Sequence, residues 1–200
     1  MTLVEDHPVA ALNHARRAMI DSQLRTSGVN ADWVLRRMDT VAREDFVPIL
    51  ARGHAYIDRA IALGDGRYLP APVFHGMMLQ EARPTPADHA LVVDGGSGYL
   101  AELVRPLVGT LETMSPVEAV AATHTGAFTL LLVDGAVEHL PAAMASVLGD
   151  GARVVTGWLR GGVTCLAVGR KSGAEVALLP VRDMGIPVLL QFDNPTGWSF

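Results

Sequence analysis

The sequence LVVDGGSGYLAEL occupies Leu91–Leu103, where an apolar run enters a glycine-rich turn that opens a helix pattern. Glycines allow a tight turn and a close ligand approach, and the helix N-terminus behind them offers free N–H groups. The turn lacks the full G-x-G-x-x-G spacing, because Asp94 stands where the first glycine would fall, and it lacks the lysine of a phosphate loop. Two interpretations are therefore open: a strand-to-helix turn only, or a cofactor site formed by Asp94, Gly95, Gly96, Ser97 and Gly98.

The residues around this turn alternate between apolar strands and helices. The predicted strands are Ala90–Val93, Gly109–Thr113, Phe128–Val133 and Ala152–Trp158. The predicted helices are Tyr99–Leu107, Pro116–Ala122 and Glu138–Leu148. This order is typical of a parallel sheet with helices on both faces. Val163–Gly169 and Ala174–Val181 then predict an antiparallel hairpin, followed by an irregular tail that contains Trp198 and Phe200.

The first third of the chain is predicted to be helical. Apolar residues recur at helical spacing, and the predicted helices are Ala10–Leu24, Ala31–Thr40 and Val73–Arg83. Gly64–Pro72 is predicted to be a turn-rich loop. We predict one compact domain, in which residues 1–88 form a helical segment packed on a sheet formed by residues 89–200.

Composition excludes several classes of protein. The chain has 200 residues, 50% of them hydrophobic, and a net charge of −5, which gives no electrostatic footprint for nucleic acid. A single cysteine, Cys165, cannot form a disulfide framework or a cysteine-rich zinc site. The seven histidines show no metal-ligand spacing, although His75 and His139 lie near the predicted cleft. We find no signal peptide and no stretch long enough to span a membrane, so we expect a cytoplasmic protein without membrane or nucleic-acid partners.

Glu112 is the candidate ribose ligand. It lies in the next predicted strand, GTLET, where we place it at the strand end, and a carboxylate there could accept hydrogen bonds from both ribose hydroxyls. The alternative is a solvated strand-end carboxylate without a ligand.

Motifs outside the glycine loop resemble one family, the protein-L-isoaspartate O-methyltransferases. The N-terminal match consists of Gln23-Leu24-Arg25, Gly28, Arg43-Glu44-Asp45-Phe46-Val47-Pro48 and Ala55-Tyr56-Ile57-Asp58. Val133–Val155 is similar to the family's fourth strand, the helix after it and the fifth strand. The resemblance covers residues 10 to 160.

This resemblance implies a Rossmann-like methyltransferase sheet with N-terminal helices and an antiparallel last hairpin. It implies S-adenosylmethionine as cofactor, with Gly96 and Gly98 near its methionine part, Glu112 on its ribose and Asp134 also in the site. The implied reaction transfers a methyl group to the carboxylate of isoaspartyl residues in damaged proteins. A protein or peptide substrate would lie against Tyr68, Leu69, Pro70, Ala71 and Pro72.

The chain also departs from the family pattern. Val92 replaces an acidic residue, and Asp94 places a β-carbon and a charge near the expected cofactor carboxylate. Asp94 would either hinder binding or take over the contact with the cofactor's amino group. Tyr68 and Pro70 replace hydroxyl-bearing residues of the substrate region. The alternative function is therefore a degenerate member that has lost the cofactor and catalysis and binds a partner.

The segment between Glu112 and Asp134 is short, with 21 residues. We expect the family's third strand and its adenine-contacting turn to be absent. An edge strand exposed in this way invites pairing, so a homodimer is possible.

Overall fold

A computed structural model describes residues 6–121 and 126–193. The helices are α1 (Asp6–Met19), α2 (Asp32–Thr40), α3 (Pro72–Ala82), α4 (Tyr99–Val104), α5 (Pro116–Ala121) and α6 (Ala142–Ser146). The strands are β1 (Ile61–Gly64), β2 (Arg67–Leu69), β3 (His89–Val93), β4 (Thr110–Met114), β5 (Phe128–Val137), β6 (Leu148–Arg160), β7 (Val163–Ser172) and β8 (Glu175–Asp183).

The main sheet has six strands in the order β4-β3-β5-β6-β7-β8. The first four are parallel, and β7 and β8 are antiparallel, which confirms the predicted Rossmann-like class and its terminal hairpin. Both faces of the central strands are covered. In β3, Ala90 and Val92 join the core on one face, whereas Leu91 and Val93 join the core on the other. This double burial explains why Ala90–Val93 are all apolar.

The N-terminal helices cover one face of the sheet. A π-helical turn, Ile20–Leu24, continues α1, and α2 presents Val34, Leu35 and Met38 to the same core. α3 lies between these helices and the sheet, so nearly all of its side chains are buried. The segment boundary at residues 88 and 89 stays a prediction.

β4 is the outer strand of the sheet beside β3. No strand in the described part of the chain pairs with its other side, as the short segment after Glu112 predicts. Three of its five residues are exposed. A dimer formed along this edge stays a prediction that light scattering would test.

Two local predictions are wrong, and a third falls outside the described residues. The predicted loop at Gly64–Pro72 contains β2, which pairs with β1 around a turn whose residues Gly64, Asp65 and Gly66 all have positive φ. Helix Glu138–Leu148 shrinks to α6, because Leu148 already pairs with Phe128 at the start of β6. The tail residues Trp198 and Phe200 lie outside the described residues.

Candidate functional site

A cleft of about 810 Å³ lies at the carboxyl ends of the parallel strands, where open α/β sheets bind their ligands. Five segments line it, and we call it the strand-end cleft. They are the β1–β2 hairpin at residues 65–68, the glycine loop at 94–96, the end of β4 and start of α5 at 113–118, Asp134, and residues 187–191. The volume suits a small-molecule ligand.

The glycine loop needs its glycines. Gly96 and Gly98 have φ angles of +108° and +74°, a region that residues with a side chain rarely adopt. A β-carbon at Gly95 would lie 2.5 Å from the carbonyl oxygen of Asp134. The loop therefore packs its bare backbone against the end of β5.

Asp94 turns its carboxylate onto this loop. Its Oδ1 accepts a hydrogen bond from the Gly98 N–H at 3.0 Å, while its own N–H donates to the carbonyl of Met114. Burial raises the pKa of Asp94, and the negative charge of Asp134 raises it further against the opposing loop hydrogen bonds. Two carboxylates thus face one part of the cleft.

Asp134 ends a buried polar chain that begins at Arg43. Arg43 donates to the carbonyl oxygens of Ala55 and Pro70, and its Nη1 lies 3.3 Å from His75 Nδ1. His75 Nε2 lies 2.7 Å from Asp134 Oδ1, and both side chains are fully buried. Since a guanidinium only donates, Nδ1 must accept, and the ring hydrogen lies on Nε2 and is donated to Asp134.

Burial lowers the pKa of His75, although Asp134 opposes the shift. A neutral imidazole therefore links a buried cation to a carboxylate on the cleft wall. Ser97 connects this chain to the loop, because its hydroxyl donates to Asp134 Oδ2 at 3.3 Å and accepts the Tyr99 N–H. From the sequence, Asp134 and Ser97 were only separate candidates.

Glu112 lies elsewhere. It occupies the middle of β4, opposite Leu91, not the strand end, and its carboxylate pairs with His89 Nε2 at 3.0 Å. It does not line the strand-end cleft. The predicted placement of Glu112 at the end of the strand is wrong, because β4 continues for two more residues, to Met114.

The end of β4 instead presents Ser115 and Glu118 to the cleft. Glu118 Oε2 accepts hydrogen bonds from the Ser115 N–H and hydroxyl at 2.7 and 2.8 Å. Ser115 in turn caps the Glu118 N–H, which makes a capping box at the start of α5. The S-x-x-E spacing was the signal that could have shown this strand end.

The predicted substrate residues divide between the core and the cleft. Leu69 is fully buried, and Pro70 supplies the carbonyl that binds Arg43. Ala71 and Pro72 begin α3. Tyr68 is 43% exposed and lines both the strand-end cleft and a second cleft of about 580 Å³.

Residues 187–191 complete the cleft, although the sequence predicted only an irregular tail. The Ala136 N–H donates to the Pro187 carbonyl, and the Leu189 N–H donates to the Ala136 carbonyl, which ties the segment to β5. Gly135 permits this approach, since a β-carbon there would lie 2.6 Å from Leu189 Cγ. Pro187 also lines the second cleft, so Tyr68 and Pro187 lie between the two clefts.

The described residues include no group of three or more histidine, cysteine, aspartate or glutamate side chains placed to hold a metal ion. None of their helices has the length and apolar character needed to cross a membrane. The cytoplasmic location stays a prediction.

Comparisons with known proteins agree with this geometry. A family model described as protein-L-isoaspartate(D-aspartate) O-methyltransferase matches residues 14–151. A protein-L-isoaspartate O-methyltransferase of Koribacter versatilis is 34% identical over 170 residues, which are 72% of this chain and 76% of that protein. Another, from Roseiflexus castenholzii, is 34% identical over 125 residues, which are 62% of this chain but only 57% of its own length. The chain thus spans little more than half of some curated relatives.

A solved structure shows the same fold. It is a Plasmodium falciparum protein assigned to the protein-L-isoaspartate O-methyltransferases, in complex with S-adenosyl-L-homocysteine. The TM-score is 0.71 at 16% identity, and the match covers 87% of this chain and 97% of that chain.

Proposed function

The chain belongs to the protein-L-isoaspartate O-methyltransferase family, and from this premise we propose that its strand-end cleft binds S-adenosylmethionine and methylates isoaspartyl carboxylates in proteins. The observation that carries the proposal is the glycine loop itself. Its bare backbone lies at the carboxyl end of β3, in a cleft of about 810 Å³. This is the position at which open α/β sheets bind nucleotide-type ligands.

The residues that line the cleft fit such a cofactor. Gly95 and Gly96 present backbone without side chains, next to which the methionine part would lie. Ser115 and Glu118 place a hydroxyl and a carboxylate at the end of β4, in position for ribose hydroxyls. Val117, Leu189 and Leu190 supply apolar surface for a base. This assignment replaces Glu112 with Glu118 as the ribose carboxylate.

The proposed reaction requires little acid–base catalysis by the protein. Bound S-adenosylmethionine supplies a methyl group that a carboxylate oxygen attacks, so that a C–O bond forms while the C–S bond breaks and the sulfur keeps the electron pair. A carboxylate is already deprotonated at neutral pH, so no general base is required. The chain therefore acts by holding the two reactants in line and close together.

The acceptor would approach from the second cleft. That cleft touches the strand-end cleft at Tyr68 and Pro187, so a carboxylate entering it would come within reach of the cofactor only past these two residues. Tyr68 offers a phenol hydroxyl where the family pattern has a smaller hydroxyl side chain. We propose protein chains carrying an isoaspartyl residue as the substrate class.

Two measurements test the proposed function. Calorimetry should show S-adenosylhomocysteine binding to the full chain, and a methyl-transfer assay should label an isoaspartyl peptide but not the same peptide with ordinary aspartate. If no binding is detected at millimolar ligand, or if the two peptides are labelled equally, the proposal is wrong.

Glu118→Gln and Glu112→Gln form a matched pair for the ribose assignment. Removing a charge-assisted hydrogen bond costs about 1.5–3 kcal/mol, so Glu118→Gln should weaken S-adenosylhomocysteine binding by about tenfold or more. Glu112→Gln, in β4 six residues before Glu118 and outside the cleft, should leave binding unchanged. The reverse result would restore the prediction made from the sequence.

A further inference from the structure

We propose that Arg67 binds the carboxylate at the amino-acid end of the cofactor and so makes this cleft select ligands that carry that group. This inference rests on the proposed function and deepens it. None of the sequence motifs points to Arg67, which lies in the β1–β2 hairpin that approaches the glycine loop.

Arg67 lies directly over the loop. A β-carbon built on Gly96 would lie 2.6 Å from Cδ, 3.3 Å from Cγ and 3.4 Å from Cβ of Arg67. The missing side chain at Gly96 leaves room for this contact, and the Arg67 side chain crosses the part of the loop against which we propose that the methionine portion of the cofactor lies.

Two backbone N–H groups that could bind an anionic group already donate to side chains of the loop. Asp94 accepts the Gly98 N–H, and Ser97 accepts the Tyr99 N–H. An arriving carboxylate would meet the Asp94 carboxylate at this place, and two like charges in a cleft repel each other strongly. A carboxylate can bind here only if a cation lies close by.

Arg67 is the one basic side chain among the described residues that line the cleft, beside the acids Asp65, Asp94, Glu118 and Asp134. Its guanidinium lies 3.6 Å from Asp65, but both side chains are exposed, at 51% and 91%. Such surface pairs contribute little stability, so exchanging Asp65 for a ligand costs little. A guanidinium also matches a carboxylate with two parallel hydrogen bonds.

The test compares two ligands that differ in this group. S-adenosylhomocysteine carries the amino-acid end, and 5′-methylthioadenosine lacks it. Calorimetry should show that the Arg67→Gln variant binds S-adenosylhomocysteine about tenfold to a hundredfold more weakly than the original chain. Its affinity for methylthioadenosine should stay within about twofold of that of the original chain. Arg67→Lys should recover part of the loss.

Arg52→Gln is the matched control, because Arg52 forms a similar exposed pair with Asp45 at 3.7 Å outside the cleft. It should change neither affinity. Equal weakening of both ligands by Arg67→Gln, or no weakening of either, would overturn the role of Arg67 while the proposed function stands. If the original chain binds neither ligand, the proposed function itself fails.

Discussion

A partly buried aspartate lies at each end of the central strands, but the pKa values of the two aspartates are shifted in opposite directions. At the amino end, Asp88 accepts hydrogen bonds from the Thr85 N–H, the Thr129 hydroxyl and Arg153, at 2.7, 2.8 and 2.5 Å. Burial alone would raise the pKa of Asp88, but these hydrogen bonds outweigh it and the pKa is lowered. At the carboxyl end, burial and Asp134 raise the pKa of Asp94.

This difference in pKa distinguishes a structural cluster at the amino end from a candidate functional site at the carboxyl end. The amino-end carboxylate is satisfied by its own donors and stabilises the fold. At the carboxyl end, Asp94 lines a cleft together with Asp134, and the loop hydrogen bonds do not compensate for the burial of Asp94. Groups held with perturbed pKa values in a cleft are typical of functional sites.

Removing the arginine of each cluster should have the largest and most unequal effects. Arg43→Met should lower the free energy of unfolding by about 3–5 kcal/mol, because it leaves His75, Pro70 and buried Asp134 without their cation. Arg153→Met should cost only about 1 kcal/mol, because its side chain is 26% exposed and Asp88 keeps its threonine donors. Urea denaturation would measure both.

Similar losses for the two arginine variants would contradict the distinction between the ends. The comparison also requires that both variants fold, which circular dichroism before denaturation would show. Should Arg43→Met fail to fold, a milder substitution, Arg43→Lys, should still lose more stability than Arg153→Met.

The local sequence pattern predicts most of the sheet but not the buried cluster of Arg43, His75 and Asp134. An apolar run followed by glycines is enough to place β3 and its loop, because strand burial and turn chemistry are local properties. Asp134 and His75 are 59 positions apart, and only the packing of α3 on the sheet brings them together. Glu112 shows the other limit: β4 ends at Met114, two residues beyond Glu112, and this candidate ligand lies outside the cleft.

pH should affect the two carboxylates in opposite directions. Asp94 has a raised pKa in the folded state, so its contribution to stability is present below its usual value of 3.8 and is lost as pH rises through the folded value. Asp88 has a lowered pKa, so its contribution is present above 3.8 and is lost as pH falls through the folded value. Asp94→Asn should therefore gain stability relative to the original chain as pH rises, whereas Asp88→Asn should lose it.

Urea unfolding of the three proteins at intervals from about pH 3 to about pH 7 would give these differences. Slopes of the same sign for both variants would mean that the two ends do not differ electrostatically. Asp94→Asn keeps nearly the same side-chain volume as aspartate, so the comparison isolates the charge.

The smallest effect is expected for the exposed contact between His89, at the amino end of β3, and Glu112, in the middle of β4. Their side chains are 51% and 36% exposed, and pairs of this kind contribute about 0–1 kcal/mol. A double-mutant cycle with Glu112→Gln and His89→Gln should give a coupling energy below about 0.5 kcal/mol, whereas the cycle for Asp88 and Arg153 should give about 1 kcal/mol. A larger coupling at Glu112 would mean that the middle of β4, like the strand ends, holds a charge whose burial matters to the fold.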